Sequence, residues 1–263
     1  MGPMDKTRIT EAAAILWRTR LDQRRIDALP ERLRPTSLAE GYAIQDAMVP
    51  LARQRVAGWK IAATSKAGQA HIGVTEPLAG RLFQDFILPD GASLPAAPLH
   101  MAVAEVEFAF HLGRDLGRVG APYAMPEVCE AVAALHLAIE VPDARFERFA
   151  EIGPAQIAAD DAFAAWFALG PKVRDWQHLD LPNQKVRLLK NGAVAVEGIG
   201  ANALDDPRLA LTWLANHLVK RGFPLKAGDI VTTGTCIIPA TIAAGDAVVA
   251  DYPGLGQVSL AFT

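Results

Sequence analysis

Cysteine is scarce in this sequence. Cys129 and Cys236 are the two cysteines among 263 residues, and they match no metal-binding spacing and are too few for a disulfide framework. The opening residues, MGPMDKTRIT, contain no apolar core of the kind that a secretory signal peptide has. No apolar run reaches the length of about 20 residues that a transmembrane helix needs. We therefore expect a protein of a reducing compartment and predict a cytoplasmic location.

An excess of charge of either sign is also missing. The 26 basic and 29 acidic residues leave a net charge of −3, which provides no basic surface for nucleic acid and no attraction to an anionic membrane. The sequence has no P-loop and no Gly-x-Ser-x-Gly elbow, and its six histidines match no zinc pattern. Nucleic-acid binding, membrane attachment, P-loop chemistry and serine-hydrolase chemistry are therefore not predicted.

The pattern of apolar residues predicts an α+β protein whose helices come first. The sequence indicates a helix over about 7–25 and a second helix from a capping box at Ser37 to about Gln54. From Gly80 onward, proline and glycine are frequent and short β-rich runs follow. We predict one catalytic domain over 1–263, with a helical N-terminal part (1–57) and a β-rich body (58–263) whose strands are mostly antiparallel.

Several elements of the body have clear signals. Val103–Leu112 and Leu135–Val141 are typical of strands. Asn191-Gly192 provides the positive φ angles of a two-residue hairpin turn. Proline at the first turn predicts helices that begin near Pro126, ending at about Ala134, and near Pro207.

Three glutamates are candidate metal ligands. Glu105 and Glu107 lie two residues apart in a strand and so share a face, where a bound cation would relieve their repulsion and the cost of burying them. Glu140 ends an apolar strand and can add a third carboxylate, and three carboxylates suit Mg²⁺ or Mn²⁺ better than zinc. The alternatives are a solvated strand face and an ion pair between Glu140 and Arg145.

Lys60 and the turn Thr232–Thr235 are further candidates for the site. Lys60 lies between Trp59 and Ile61 in a short strand. Close to a metal site it can bind a carboxylate or move a proton, although a lysine in such a place also often extends to solvent. The hydroxyls and amides of the threonine turn can hold a carboxylate, or they can form an ordinary turn.

Taken together, these segments resemble the 2-keto-4-pentenoate hydratase and 4-oxalocrotonate decarboxylase family. The resemblance is carried by six blocks: Gly58–Lys66, Ile72–Pro77, Ala104–Phe110, Ile139–Phe146, Trp213–Asn216 and Gly254–Phe262. It implies the fumarylacetoacetate hydrolase-like fold, a β-rich mixed roll. It also implies a homo-oligomer, a Mg²⁺ or Mn²⁺ site made of Glu105, Glu107 and Glu140, and Lys60 as a catalytic residue.

The function that the resemblance implies is that of a lyase acting on a small 2-oxo acid or its enol. Our first expectation is a hydratase that adds water to a 2-hydroxydienoate in aromatic or ring-compound catabolism. The alternatives are a 4-oxalocrotonate-type decarboxylase, an acylpyruvate-type C–C hydrolase, and a catalytically silent subunit. Association with a pathway partner enzyme is a further expectation.

The sequence departs from this family's pattern at three positions of the expected pocket. Leu78 stands where hydratases often have an acid, Asp161 where an amide is usual, and Phe163 where a small hydroxyl residue is usual. The substrate-binding residues that we predict are Thr64, Ser65, Leu78, Asp161, Phe163 and Thr235. We expect poor hydration of unsubstituted 2-hydroxypenta-2,4-dienoate and better activity on a longer or ring-bearing acid, unless Asp161 and Phe163 point away from the metal.

Overall fold

Two helices form the N-terminal part of the computed structural model, which describes residues 4–120 and 122–263. Helix α1 (Lys6–Leu21) is capped by the Asp5 carboxylate, and α2 (Leu38–Ala52) is capped by the Ser37 hydroxyl. Each cap accepts a first-turn amide that the helix itself cannot satisfy. The apolar sides of both helices pack together and, with Phe83 and Phe146 from the body, form a small hydrophobic cluster of their own. This cluster attaches the helical part to the β-rich body.

The main sheet of the body has eight strands. Its central path runs β2-β1-β10-β5-β6-β7-β3, and β11 pairs with β5. These strands are β1 (Val56–Ala62), β2 (Leu78–Phe83), β3 (Ile87–Pro89), β5 (Val103–Leu112), β6 (Val132–Val141), β7 (Trp166–Val173), β10 (Ile230–Thr232) and β11 (Ala240–Thr241). The pairs β1–β10 and β3–β7 are parallel and the other pairs are antiparallel, which confirms the predicted mostly antiparallel arrangement.

A second sheet of five strands covers one face of the main sheet. Its order is β4-β13-β12-β8-β9, and its members are β4 (Ala92–Leu94), β8 (Lys185–Lys190), β9 (Ala193–Ile199), β12 (Ala247–Tyr252) and β13 (Gly256–Phe262). Strands β8 and β9 form the predicted hairpin, with Asn191 and Gly192 both at positive φ. The largest hydrophobic core fills the space between the sheets, where Phe108, Phe110 and Tyr252 are fully buried. The result is the predicted α+β, β-rich mixed roll.

Four more helices complete the described chain: α3 (Lys66–Ile72), α4 (Met125–Cys129), α5 (Gly153–Ala159) and α6 (Pro207–Lys220). The Ser65 hydroxyl caps α3, and the Asp206 carboxylate caps α6, which begins at the predicted Pro207. Within the described ranges, the structure contains no helix with both the length and the apolar character to cross a membrane.

The observed elements correct three predicted boundaries. The helix predicted to run to Ala134 ends at Cys129, because Val132 already pairs with Leu112 in the main sheet, and sheet pairing outweighs weak helix propensity. Helix α1 ends at Leu21 because Gln23 is left-handed. The first strand begins at Val56, two residues before the predicted start of the β-rich body at position 58. Residues 1–3 and 121 lie outside the described residues. That residues 1–263 form one catalytic domain stays a prediction.

Candidate functional site

The three glutamates lie on neighbouring strands of the main sheet. In the antiparallel register of β5 and β6, Glu105 lies opposite Glu140 and Glu107 lies opposite Ala138. The intervening Val106 points into the core on the other face, because side chains alternate along a strand. One oxygen from each of the three carboxylates lies within 4.8 Å of the others. The structure therefore gathers three acidic side chains, distant in sequence, into one cluster.

Glu107 is held by the turn that follows β10. The Thr232 hydroxyl and the Gly234 amide both donate hydrogen bonds to Oε2 of Glu107, the amide at 2.8 Å. Gly234 has φ of +95°, and a Cβ there would collide with the Thr64 side chain, so a glycine is required for this approach. The threonine turn thus holds a carboxylate, as its residue types suggest, but the carboxylate belongs to the protein.

Lys60 completes the cluster from strand β1, which is separated from β5 by β10 in the main sheet. Its side chain is 4 % exposed and therefore does not extend to solvent. The Lys60 Nζ lies 3.1 Å from Oε1 of Glu140, so the two buried groups form an ion pair. Glu140 therefore pairs with Lys60, whereas Arg145, the partner that the sequence suggested, pairs with Asp160.

Burial and the closeness of like charges shift the pKa values of the side chains in the cluster. Burial, followed by the charges of Glu140 and Glu107, raises the pKa of Glu105 well above its ordinary value. Burial also raises the pKa of Glu107, and it raises the pKa of Glu140 to about 7 although Lys60 opposes it. Burial alone would lower the pKa of Lys60, but the three carboxylates outweigh it and hold that pKa above its usual value. The site is therefore short of positive charge.

The donor atoms of the cluster fit a divalent cation that prefers oxygen ligands. Among the described residues, no donor reaches the buried Oε1 of Glu107 or Oε2 of Glu140, and Oε1 of Glu140 has only its ion pair with Lys60. Leaving a buried carboxylate oxygen unpaired costs free energy, and a cation bound among these oxygens would remove that cost. Three carboxylates without sulfur or imidazole are a ligand set that suits Mg²⁺ or Mn²⁺.

The cluster opens into a cavity of about 600 Å³. The polar side chains that line it are Lys60, Glu105, Thr64, Ser65 and Thr235. The Ser65 hydroxyl accepts from the Gly68 amide at 3.0 Å, and the Thr235 hydroxyl donates to the Ile237 carbonyl at 3.0 Å. Phe163 lines the same cavity. Four of the six predicted substrate-binding residues therefore share one cavity with Lys60 and Glu105.

Leu78 and Asp161 are placed differently from expectation. Leu78 is buried in the main core, and Asp161 is buried between β2 and α1. The Asp161 carboxylate accepts from the Arg81 amide at 2.7 Å and pairs with Arg20 of α1 at 3.1 Å. Neither side chain is among those that line the cavity. The expectation that they contact substrate is corrected, because an ion pair and the core occupy these side chains.

Arg20 of α1 supports the cavity wall through Asp161, which predicts a large effect of its removal on stability. Arg20 is buried, and it donates to Asp161 and, at 2.7 Å, to the Ala164 carbonyl. Arg20→Met leaves Asp161 charged and without its cation, so we expect unfolding in urea to show a loss of about 3 kcal/mol or more. Arg18→Met, on the exposed side of the same helix, is the matched control and should change stability little. Equal stabilities of the two variants would contradict this role of Arg20.

Sequence reasoning missed most of the apolar wall of the cavity. Phe149 and Ile157 line it from a segment that carries no functional motif, and Ile237 lines it from the loop after β10. These side chains reach the cavity only because segments distant in sequence fold over the glutamate cluster, and no local sequence pattern indicates this. Thr232 and Gly234 carried a usable signal, since a Thr-Thr-Gly-Thr turn after an apolar strand is suited to hold a carboxylate.

The fold and the site correspond to a known class of proteins. A model of the fumarylacetoacetate (FAA) hydrolase C-terminal family matches residues 62–262. The structure superimposes on that of 4-oxalocrotonate decarboxylase from Pseudomonas putida G7, complexed with magnesium and adipate, with a TM-score of 0.92, 27 % identity and coverage of 100 % of both chains. The chain thus has the fold of the fumarylacetoacetate hydrolase class of enzymes.

Comparison with curated proteins narrows this class. The chain is 34 % identical to 2-keto-4-pentenoate hydratase of Burkholderia vietnamiensis, over 98 % of this chain and 99 % of that protein. It is 31 % identical to 4-oxalocrotonate decarboxylase of Pseudomonas putida, over 86 % of each chain. The chain belongs to the 2-keto-4-pentenoate hydratase and 4-oxalocrotonate decarboxylase family, as its sequence blocks indicate, and is therefore an enzyme.

Proposed function

We propose that this enzyme is a metal-dependent hydro-lyase that adds water to a 2-hydroxydienoate, the enol form of a small 2-oxo acid. The observation that carries the proposal is the buried cluster of Glu105, Glu107 and Glu140 with Lys60, which faces a cavity of about 600 Å³. Similarity to hydratases over nearly the whole chain supports the same reaction type.

The three glutamates are the proposed ligands of a Mg²⁺ or Mn²⁺ ion. Solved structures of the decarboxylase relative contain magnesium in one case and calcium in another, which are both cations that prefer oxygen. When bound, such an ion supplies Lewis acidity, which stabilises negative charge on the carboxylate and 2-oxo oxygens of a 2-oxo acid. The glutamates hold the ion, and their own surplus negative charge is neutralised by it.

Lys60 is the proposed proton-transfer group. Its Nζ is positive, buried and 3.1 Å from Glu140, so that the two groups can share and pass a proton beside the cavity. Loss of the 2-hydroxyl proton of the dienol and protonation at C5 give a conjugated 2-oxo acid. Water then adds to C4 and a proton is delivered to C3, which completes hydration.

A decarboxylase of the same family is the second candidate, and Leu78 favours it. The position has no proton acceptor, and its side chain lies in the core, so that no acid acts on water from there. Decarboxylation needs the same stabilised enolate but no activated water, because the electrons left by CO₂ enter the 2-oxo group. The close superposition on a decarboxylase points the same way.

An assay of the purified chain alone with Mg²⁺ separates these functions. Enol and dienol acids, 2-oxo acids and acylpyruvates are followed by ultraviolet absorbance, and products are identified by mass. Gain of water supports the hydro-lyase, loss of CO₂ supports the decarboxylase, and release of pyruvate supports the C–C hydrolase. Absence of turnover with all acids, in a sample that binds Mg²⁺, would contradict the proposal and favour the silent subunit.

The raised pKa of Glu140 predicts how pH controls metal binding. Lys60, Glu105, Glu107 and Arg145 are the charged groups that act on it. Its pKa is about 7 in the folded protein and near 4.5 when unfolded, so the metal-free protein loses stability as pH rises through this window. Mg²⁺ competes with the proton. We therefore expect thermal scans to show a larger Mg²⁺-induced increase in Tm at about pH 8 than at about pH 5.5; an increase independent of pH would contradict this assignment.

The homo-oligomer, the association with a pathway partner enzyme and the cytoplasmic location that the sequence suggested stay predictions. Light scattering of the purified chain tests the first. A mass of one chain, about 28 kDa, would contradict it.

A further inference from the structure

The cavity changes character away from the glutamates. Beyond Lys60 and Glu105, its walls are largely apolar. The apolar side chains that matter for the argument are Ile72, Met101, Phe149, Ile157, Phe163 and Ile237. A ligand whose acid end lies at the cluster therefore places its other end among hydrocarbon and aromatic groups.

Phe163 is fixed in this wall by an unusual backbone. Asp161, Ala162 and Phe163 are three consecutive residues with φ between +50° and +61°. Residues other than glycine adopt this conformation at a cost, and such strain persists where surrounding contacts enforce it, often at ligand sites. Here the enforcing contacts are the buried pair between Asp161 and Arg20 and the bond from the Asp143 amide to the Phe163 carbonyl at 3.0 Å.

The turn places the Phe163 ring against that of Phe149. The two ring centroids are 5.9 Å apart with an interplanar angle of 82°, an edge-to-face contact that stabilises both rings. Together they form an aromatic wall on one side of the cavity. Ala162 also lines the cavity.

The apolar part of the lining has no basic side chain among those that the structure describes. Among the side chains that the structure describes, Lys60 is the one basic group in the lining. Arg148 and Lys66, which neighbour lining residues in sequence, are exposed, and Arg148 lies 3.6 Å from Glu151. A second carboxylate on a ligand would lose its hydration without gaining a cation, which is strongly unfavourable.

We infer that this site takes a 2-oxo acid, or its enol, that has a single carboxylate and a bulky apolar tail, with Phe163 as a specificity-determining residue. Dicarboxylates of equal length are rejected by the apolar wall. The inference rests on the proposed function, because it assumes that the acid end binds at the glutamate cluster. It separates this chain from a relative whose solved structure contains the dicarboxylate adipate.

Binding of four unreactive acids in the presence of Mg²⁺ tests the inference without relying on turnover. 2-Oxohexanoate and 2-oxoadipate have the same chain length and differ by one terminal carboxylate, while pyruvate has no tail and 2-oxo-4-phenylbutanoate has a ring. Calorimetry should give 2-oxohexanoate an affinity at least about tenfold above that of 2-oxoadipate. The ring-bearing acid should bind at least about tenfold more tightly than pyruvate.

Variants of the two phenylalanines in the aromatic wall test whether they cause the preference for the ring-bearing acid over pyruvate. Phe163→Ser should reduce the ratio of phenylbutanoate to pyruvate affinity by about tenfold. Phe223→Ser, which replaces a partly exposed phenylalanine outside this cavity, is the matched control and should keep the wild-type ratio. Phe149→Ala tests the same wall if the strained turn does not fold with serine.

The outcomes distinguish this inference from the proposed function. Metal-dependent binding with 2-oxoadipate equal to or tighter than 2-oxohexanoate would overturn the inference and leave the function standing. An unchanged ratio in both Phe163→Ser and Phe149→Ala would overturn the role of the wall. Failure of all four acids to bind in a metal-dependent way would overturn the function and the inference together.

Discussion

Replacing any one of Glu105, Glu107 or Glu140 by glutamine is expected to abolish Mg²⁺ and Mn²⁺ binding while the fold remains. The amide has the shape of the carboxylate but no charge, and three carboxylates are the whole charged donor set of the cluster. Loss of groups that only orient a metal ligand already costs about 10- to 100-fold in affinity, so loss of a ligand should cost more. Calorimetric titration with Mn²⁺ measures this directly.

The control for these variants is Glu197→Gln on the exposed strand β9. It removes the same charge from the protein without touching the cluster, and its metal affinity should equal that of the wild type. Circular dichroism of all variants shows whether the fold is kept. Unchanged Mn²⁺ affinity in the three cluster variants would rule out this site.

Replacing Lys60 by methionine is expected to lower turnover by about 100-fold or more, the usual effect of losing a positioned proton-transfer group. Methionine keeps most of the length and the apolar contacts of the side chain but cannot carry a proton. Metal binding should survive, because the three glutamates are intact and lose only a competing positive charge. Turnover of the best substrate, measured at saturating Mg²⁺, gives the effect.

Lys185→Met, an exposed lysine on the second sheet, is the matched control and should retain full turnover. A fall in kcat with little change in substrate affinity would indicate lost proton transfer. Near-normal turnover of Lys60→Met would mean that Lys60 serves only to balance charge in the buried cluster.

Strand alternation explains why part of the site was predictable. Val103–Leu112 was recognisable as a strand, so the shared face of Glu105 and Glu107 followed from the two-residue period of a strand. The same period put Glu140 on the face opposite Ile139. What period alone could not give is the register between the strands, which sets Glu105 opposite Glu140.

The partner of Glu140 illustrates what the sequence could not give. Arg145 is five residues away and was the obvious candidate, whereas Lys60 is 80 residues away and reaches Glu140 because β1 and β10 pair in parallel beside β5. A parallel neighbour requires a long crossover, and its position is a property of the whole sheet. Only the resemblance to a known family placed Lys60 in the pocket beforehand.

Asp161 failed as a predicted pocket residue for the same reason. Its partner Arg20 comes from helix α1, 141 residues away, and no local pattern marks that contact. Phe163, two residues later, does line the cavity, because the left-handed turn directs neighbouring side chains differently from a helix or a strand. A departure from a family's sequence pattern thus indicates where the pocket differs from that of its relatives. The structure is needed to show which of the changed side chains line the cavity.

The central claim is that a 2-oxo acid binds directly to a metal ion held by the three glutamates. Electron paramagnetic resonance of Mn²⁺ bound to the protein, with 2-oxohexanoate labelled with ¹⁷O at the 2-oxo group, tests it in one measurement. We expect the label to broaden the Mn²⁺ lines in the wild type, and we expect Glu107→Gln to give only the spectrum of free Mn²⁺. Tightly bound Mn²⁺ whose lines do not respond to the label, or an unchanged spectrum in Glu107→Gln, would contradict the account.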